Sequence, residues 1–313
     1  MKLTKEDFYS CTKTKSEPSQ CAEGLWVARS AIGVNVDGSP QPIFGFGASF
    51  NHDDSQTKSK FELLEHLVFL PYIYTEASAS NLVSYSSDEP NAIWMGKKVQ
   101  DFFIGKTSPL GTFGANGCAI GASREDATTH SRRELLERHL CCEIWYKRCR
   151  KIEVLHIDLQ LNIINPNLRL DFYTTSILDD DRFALAALEC IETGFFAFGA
   201  AVKGTIEQAS QHAACEVMML FEDAIRGRTA LSSTLKSQQK ILSLRNVALS
   251  KERKQYLQDL IKNNAKTSAI ELSYQSISFE PLPSLFAART FAINALDPRN
   301  FEDSNDVPIL PLF

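Results

Sequence analysis

The sequence predicts an α+β fold, and three observations carry that prediction. Residues 25–36 and 42–50 are rich in apolar and β-branched positions and flank the turn Asp37-Gly38-Ser39-Pro40, the pattern of a strand hairpin. The succession of strand, small-residue turn and helix occurs twice, through residues 111–121 and again through Lys203-Gly204-Thr205. Two further strand-like stretches, 269–278 and 285–296, follow the last helix.

Taken in order, residues 1–23 are polar and loosely specified, and the hairpin follows them. A helix with Asp53 or Asp54 as its cap then runs through Phe61, Leu64, Leu67 and Val68 and stops before Pro71. Residues 81–110 read as strands and loops, 111–121 as a Gly-rich turn, and 124–150 as one long helix. Strands are expected at 153–157, 168–176 and 194–202, after which Thr205 caps a helix reaching Ile225. Residues 227–250 read as a polar linker with a short helix, and 251–264 as an exposed helix stopped by Asn263 and Asn264. Prolines exclude helix or central strand over 307–313.

A chain of 313 residues, 44% of them hydrophobic, has ample material for a core. It is expected to form one domain over 1–313, with a polar segment at 1–23 and a Pro-containing tail at 303–313. With 33 Lys and Arg against 38 Asp and Glu, the net charge of -5 lacks the basic excess of a dedicated nucleic-acid binder. The first residues carry acids where a secretory peptide needs an apolar core, and no long uncharged apolar run follows. A cytoplasmic protein away from the membrane is expected. The cysteines at 11, 21, 118, 141, 142, 149, 190 and 215 lack Cys-x-x-Cys spacing, so they read as small hydrophobes and not as zinc ligands or a disulfide framework.

Residues 116–138 are the most informative stretch, because a Gly-rich turn runs directly into a helix with ionisable groups on one face. At about 100° per residue, Asp126, His130, Glu134, Glu137 and Arg138 share an arc of roughly 120°, with Leu135, Leu136 and Leu140 opposite. Glu125 points away from that stripe. Glu62 and Glu65 project together from the earlier helix. Carboxylates facing a phosphate ligand require a divalent cation between them, and Mg2+ takes hard oxygen ligands from both. Arg138 can meet phosphate directly through a bidentate contact. The competing reading is a solvated helix face whose charge pairs contribute roughly 0.2–0.5 kcal/mol each. Two other motifs fail as nucleotide cradles. Gly105-Lys106-Thr107 has Gln100 where a P-loop needs glycine, and Gly45-Phe46-Gly47 is too short for a dinucleotide fingerprint.

The order of these blocks resembles the YcaO family, ATP-dependent enzymes that activate backbone amides, over roughly residues 40–313. Three blocks carry the resemblance: Lys58-Ser59-Lys60-Phe61-Glu62-Leu63-Leu64-Glu65-His66; Gly117-Cys118-Ala119-Ile120-Gly121 through Glu134-Leu135-Leu136-Glu137-Arg138, with Trp145; and residues 209–216. The resemblance implies mixed or antiparallel sheets packed with long helices in two similar halves, with ATP between the helices at Glu62, Glu134 and Glu216. It implies that Glu62, Glu65, Asp126, His130, Glu134, Glu137 and Arg138 bind ATP and Mg2+, the metal falling to Glu62, Glu65, Glu134 and Glu137. It places Glu216 near the nucleotide and matches Arg289 to a basic residue of the late strand. His130 reads as a phosphate contact, a proton relay or a structural histidine.

The chain departs from the family pattern at several positions. Phe46 stands where many members have a lysine between two glycines, Ala119 and Ala122 occupy positions often polar, Lys58 replaces a small or hydroxyl residue, and His139 replaces an Asp. These departures imply reduced nucleotide contacts, and a degenerate site would leave a scaffold or peptide-binding subunit.

By the same resemblance, the reaction is cyclodehydration of a ribosomal precursor peptide, in which Cys, Ser or Thr side chains form thiazoline or oxazoline rings. Thioamide- or amidine-forming activity is the enzymatic alternative. Azoline-forming members end in a proline-rich tail that enters the active site, which matches Pro311 and the terminal Phe313 to the catalytic group alongside Arg138 and His130. A Pro-containing terminus without that role is the other reading. The implied partners are a leader-binding protein of the ubiquitin-activating-enzyme-like class and an FMN-dependent azoline dehydrogenase. A homodimer and a hetero-complex both stay open.

Overall fold

The computed structural model describes residues 5–36, 39–69, 83–86, 116–177, 180–226, 246–262, 272–292, 294–301 and 308. Helix α1 (Lys5–Cys11) and strand β1 (Lys13–Pro18) give the N-terminal segment regular structure that its polar sequence did not announce. β1 is an edge strand, and with little apolar surface to bury it shows no apolar alternation. It pairs antiparallel with β2 (Trp26–Val36), which forms the expected hairpin with β3 (Ser39–Ser49), Val36 opposite Ser39. Helix α2 (His52–Val68) follows. Its cap is Asn51, whose Oδ1 accepts the Asp54 N–H at 3.0 Å, while Asp53 and Asp54, the expected caps, lie in the first turn.

A second sheet has the order β4-β10-β11-β5, from β4 (Val83–Ser86), β10 (Tyr274–Leu282), β11 (Leu285–Ala292) and β5 (Cys118–Gly121), all antiparallel. β5 leads into α3 (Arg124–Cys142), capped by Ser123, whose Oγ accepts the Asp126 N–H at 3.1 Å. The expected helix to residue 150 instead passes into a π-helical turn, Glu143–Lys147, and is stopped by Arg148 in the left-handed region at φ 49°.

The third sheet runs β6-β7-β8-β9, from β6 (Glu153–Val154), β7 (Leu168–Thr174), β8 (Arg182–Cys190) and β9 (Phe196–Lys203), again antiparallel. β8 was not expected. It is buried on both faces, so its Phe-Ala-Leu-Ala-Ala-Leu run has no period-two signal. Thr205 caps α4 (Ile206–Arg226) as expected, its Oγ1 accepting the Gln208 N–H at 3.2 Å. Helix α5 (Val247–Lys262) buries Arg253, Tyr256, Leu257 and Leu260, so it is a packed helix and not the exposed one expected.

The α+β class and its antiparallel sheets hold, but the described residues form three sheets instead of one in each of two halves. Each sheet carries one long helix: α2 on the first, α3 on the second and α4 on the third. One apolar cluster joins Val27 and Ala48 of the first sheet to Ala186 and Ala197 of the third, with Met218 and Phe221 of α4. Another joins Leu63, Leu64 and Leu67 of α2 to Ile120, Phe279 and Ala287 of the second sheet. The third packs Leu136, Leu140 and Trp145 against Phe198 of β9 and Leu257 of α5. At roughly 1.5–3 kcal/mol for each large apolar side chain fully buried, these clusters fix the three helices against one another.

Candidate active site

Three glutamates are placed by the same local device. A Cβ added to Gly45 would fall inside the backbone of Ser59 and Leu63, so only glycine lets β3 lie this close beneath α2. The adjacent Phe46 N–H then donates to Glu62 Oε2 at 3.0 Å. Gly199 performs the same service between β9 and α4, where a Cβ would meet the Ala213 carbonyl. There the neighbouring Ala200 N–H donates to Glu216 Oε2 at 3.3 Å. On α3, Glu134 takes its backbone hydrogen bond from Gly117, just ahead of β5. Glu62 and Glu216 are therefore positioned by a strand amide, and Glu134 by the turn amide of Gly117, as well as each by its own helix.

The three helices meet at a cavity of about 670 Å³. It gathers Glu62 and Glu65 from α2; Asp126, His130, Glu134, Glu137 and Arg138 from α3; and Glu216 from α4. Arg289 is placed differently. It is buried on β11 opposite Cys118 of β5 and does not line the cavity, although its charge lowers the Glu134 carboxyl. Pro311 and Phe313 lie outside the described residues. Of the tail, Pro308 is described, and its carbonyl accepts the Trp145 Nε1–H at 2.6 Å.

Asp126 divides its carboxylate between two tasks. Oδ2 accepts the Ala122 N–H at 3.1 Å, which helps to fix the start of α3, and Oδ1 stands 3.5 Å from His130 Nδ1. Glu125 is exposed and absent from the cavity lining, as its helical phase indicates. Sequence reasoning did not single out Lys203, His212 and Arg133 as site residues, yet all three line the cavity, and so does Lys58, which had read only as a departure. The signal was present but weak: a base four residues before an acid looks like any solvated helix pair.

The glutamates sit deep among protein atoms while opening onto the cavity. Burial pushes Glu62 up to about 8, and the charges of Glu216 and Glu134 act in the same direction. Burial pushes Glu134 to about 7 against the pull of Arg138. Glu65 and Glu137 stand well above the ordinary carboxyl range, first through burial and then through the charge of Glu134 on one and Glu216 on the other. Glu216 is the exception. Burial raises it, but the hydrogen bond and charge of His212, 3.4 Å away, together with Arg138 and Lys203, hold it below the ordinary value. Burial disfavours the charge of Arg138, and Glu137, Glu134 and Glu216 more than offset this, so it remains a guanidinium. His130 and His212 are both held low, by burial and then by Lys203.

This donor set fits Mg2+. Arg138 is the one cation that bears on all of Glu62, Glu65, Glu134 and Glu137, leaving negative charge that a divalent ion would neutralise. Among the described residues no three His, Cys, Asp or Glu side chains are grouped to hold a metal by themselves.

The fold and this cavity define a class of protein with carboxylate-bearing helices assembled around one cavity. Residues 101–269 match the family model described as YcaO cyclodehydratase, ATP- and Mg2+-binding. The chain belongs to the YcaO family. Among solved structures it resembles YcaO from Methanopyrus kandleri bound with AMPPCP and Mg2+, at 13% identity and a TM-score of 0.55, covering 96% of this chain and 89% of that one. It also resembles the E. coli microcin synthetase McbBCD complex with pro-MccB17 bound, at 11% identity and a TM-score of 0.60, covering 90% and 88%. A heterocyclase in complex with substrate and cofactor matches at 10% identity and a TM-score of 0.62, covering 91% of this chain and 50% of that one. No curated protein matches by sequence. Among the described residues no helix is long and apolar enough to cross a membrane.

Proposed function

We propose that the protein is an ATP- and Mg2+-dependent cyclodehydratase acting on the backbone of a ribosomal precursor peptide. The observation that carries this reading is the convergence of Glu62, Glu134 and Glu216, each tied to a backbone amide outside its own helix, on one cavity with Arg138. Membership of an ATP- and Mg2+-binding family supports the nucleotide. The likeness to a synthetase complex with its peptide bound supports a peptide substrate and partner proteins.

In this reading a Cys, Ser or Thr side chain of the peptide gives up its proton as it attacks the preceding amide carbon, and the resulting oxyanion takes the γ-phosphoryl group of ATP, releasing ADP. Phosphate departs with that oxygen, the nitrogen gives up its proton, and a thiazoline or oxazoline remains. Glu62, Glu65, Glu134 and Glu137 would hold Mg2+, which would supply positive charge against that of the phosphates. Arg138 stabilises charge on the transferring group, and the strand amides at Phe46 and Ala200 keep Glu62 and Glu216 in place before substrate arrives. His130, half-exposed and beside Asp126, contacts phosphate or moves a proton. Pro311 and Phe313 are assigned to the catalytic group on the family resemblance. A leader-binding protein of the ubiquitin-activating-enzyme-like class presents the peptide, and an FMN-dependent dehydrogenase oxidises the rings.

Glu134→Gln tests the assignment. It is expected to abolish both ATP hydrolysis and ring formation while the complex with its partner still assembles. Retained ring formation would overturn the site.

A further inference from the structure

Each helix of the cavity carries a basic or imidazole side chain four residues before a glutamate. Lys58 precedes Glu62 on α2, His130 precedes Glu134 and Arg133 precedes Glu137 on α3, and His212 precedes Glu216 on α4. Four residues are about one helical turn, so the basic groups form a layer roughly 5–6 Å along the helices from the carboxylates. Lys203, the last residue of β9, joins that layer, because Lys58, Arg133, His130 and His212 all lie within its electrostatic reach.

Two members of the layer are poorly occupied by the protein itself. Lys58 donates to the Ala48 carbonyl at 3.3 Å, which uses one of its three N–H groups. Among the described residues no hydrogen bond or ion pair within bonding distance ties down the Lys203 ammonium. Arg133, by contrast, is engaged by Asp181 Oδ1 through Nε at 3.0 Å and Nη2 at 2.7 Å. Two ammonium groups facing one cavity repel each other, and although the charges of Glu137 and Glu216 also reach Lys203, a bound anion would offset the repulsion further.

We propose that Lys58 and Lys203 form an oxyanion clamp that takes the terminal phosphoryl group of the bound nucleotide and holds the phosphate released from it. This rests on the ATP reading of the cavity. It assigns the two layers different work: the carboxylates hold the metal-bridged oxygens, and the lysines hold the end of the chain that is transferred. It also accounts for the position of Lys203 at the end of β9, immediately before the Gly204-Thr205 turn, where its ammonium reaches the space between α2 and α4.

Calorimetric titration of the full chain with Mg-ATP, Mg-ADP and Mg-tripolyphosphate tests the clamp. Lys58→Gln and Lys203→Gln are expected to weaken ATP and tripolyphosphate about tenfold or more while ADP changes little, and Lys203→Arg is expected to restore most of the loss. Lys151→Gln, which removes an exposed ion pair with Glu153, serves as the control, and thermal unfolding confirms that each variant is folded. ATP binding that stays within about twofold of wild type in both Gln variants would overturn the clamp and leave the ATP reading standing. Tripolyphosphate binding lost in the variants, with no ATP binding to wild type, would overturn the ATP reading and the clamp with it, leaving only a site for free polyphosphate. Wild-type protein that binds neither ligand would overturn both.

Discussion

Phe46 donates its backbone N–H to Glu62 across sixteen residues of chain, and Ala200 stands in the same relation to Glu216, again sixteen residues on. In both cases a glycine beside the donor lets the strand lie directly under the helix that carries the acid. The site is thus built by repetition of one strand–helix contact, so damage to the contact should reach the chemistry.

Gly45→Ala tests that link. The new Cβ would press into the backbone of α2, and overpacking of this kind costs about 1–3 kcal/mol. Because α2 must move off the strand that holds Glu62, ATP affinity is expected to fall along with the unfolding temperature. Gly33→Ala, whose Cβ would meet nothing within 4 Å, should change neither. Equal behaviour of the two variants in thermal unfolding and ATP titration would contradict the account.

Metal binding should release protons. Without a cation, Glu62 at about 8 and Glu134 at about 7 are wholly or partly protonated at pH 7. Their folded values lie above the ordinary 4.5, so ionising them in the metal-free protein costs stability that grows from about pH 4.5 upward through those values. Metal-free protein is therefore expected to lose stability as pH rises from about 5 to 8, and Mg-ATP should remove that loss. Calorimetry in buffers of different ionisation enthalpy should show net proton release at pH 7.

Beneath the far end of α3 lies a second buried cluster whose role is structural. The Leu296 N–H donates to His139 Nδ1 at 3.0 Å, which turns the protonated Nε2 toward Glu143 Oε1, 3.5 Å away. Arg150 Nε meets Glu143 Oε2 at 2.5 Å. Burial raises the Glu143 carboxyl, but His139 and Arg150 outweigh it and hold it below 4.5. The stability it contributes is present above about pH 4.5 and is lost as pH falls through the lowered value. Arg150→Ala is expected to cost about 3–5 kcal/mol at pH 7, and the difference from wild type should shrink below about pH 4 as Glu143 protonates in the variant. Denaturant unfolding at the two pH values measures both.

Trp145→Phe removes the hydrogen bond to the Pro308 carbonyl while keeping most of the packing against Phe198 and Tyr256. The loss should be about 1 kcal/mol in stability. Carboxypeptidase should trim the C-terminus of the variant faster than that of wild type, and equal trimming rates would show that this bond does not anchor the tail.

The long helices were legible because their apolar periodicity and caps are local: Thr205 and the leucines of α3 announce themselves. β8 was not, because a strand buried on both faces has no alternation, and its Ala-Leu run is as consistent with helix. β1 was hidden for the opposite reason, being a polar edge. Of the cavity-lining residues, the acids of α2 and α3 could be read from their helical phase and Glu216 from resemblance alone, while Arg289, also taken from resemblance, does not line the cavity. Lys58 and Lys203 could not be assigned, because they come together only when α2 and β9 are brought to one cavity by Gly45 and Gly199.

Phosphate release by the purified chain with Mg-ATP, its candidate precursor peptide and its partner protein, coupled to intact-mass analysis of the peptide, tests the central claim most directly. Cyclodehydration predicts loss of one water mass from the peptide for each phosphate released. Phosphate release with no loss of water, or loss of water without ATP, would contradict it.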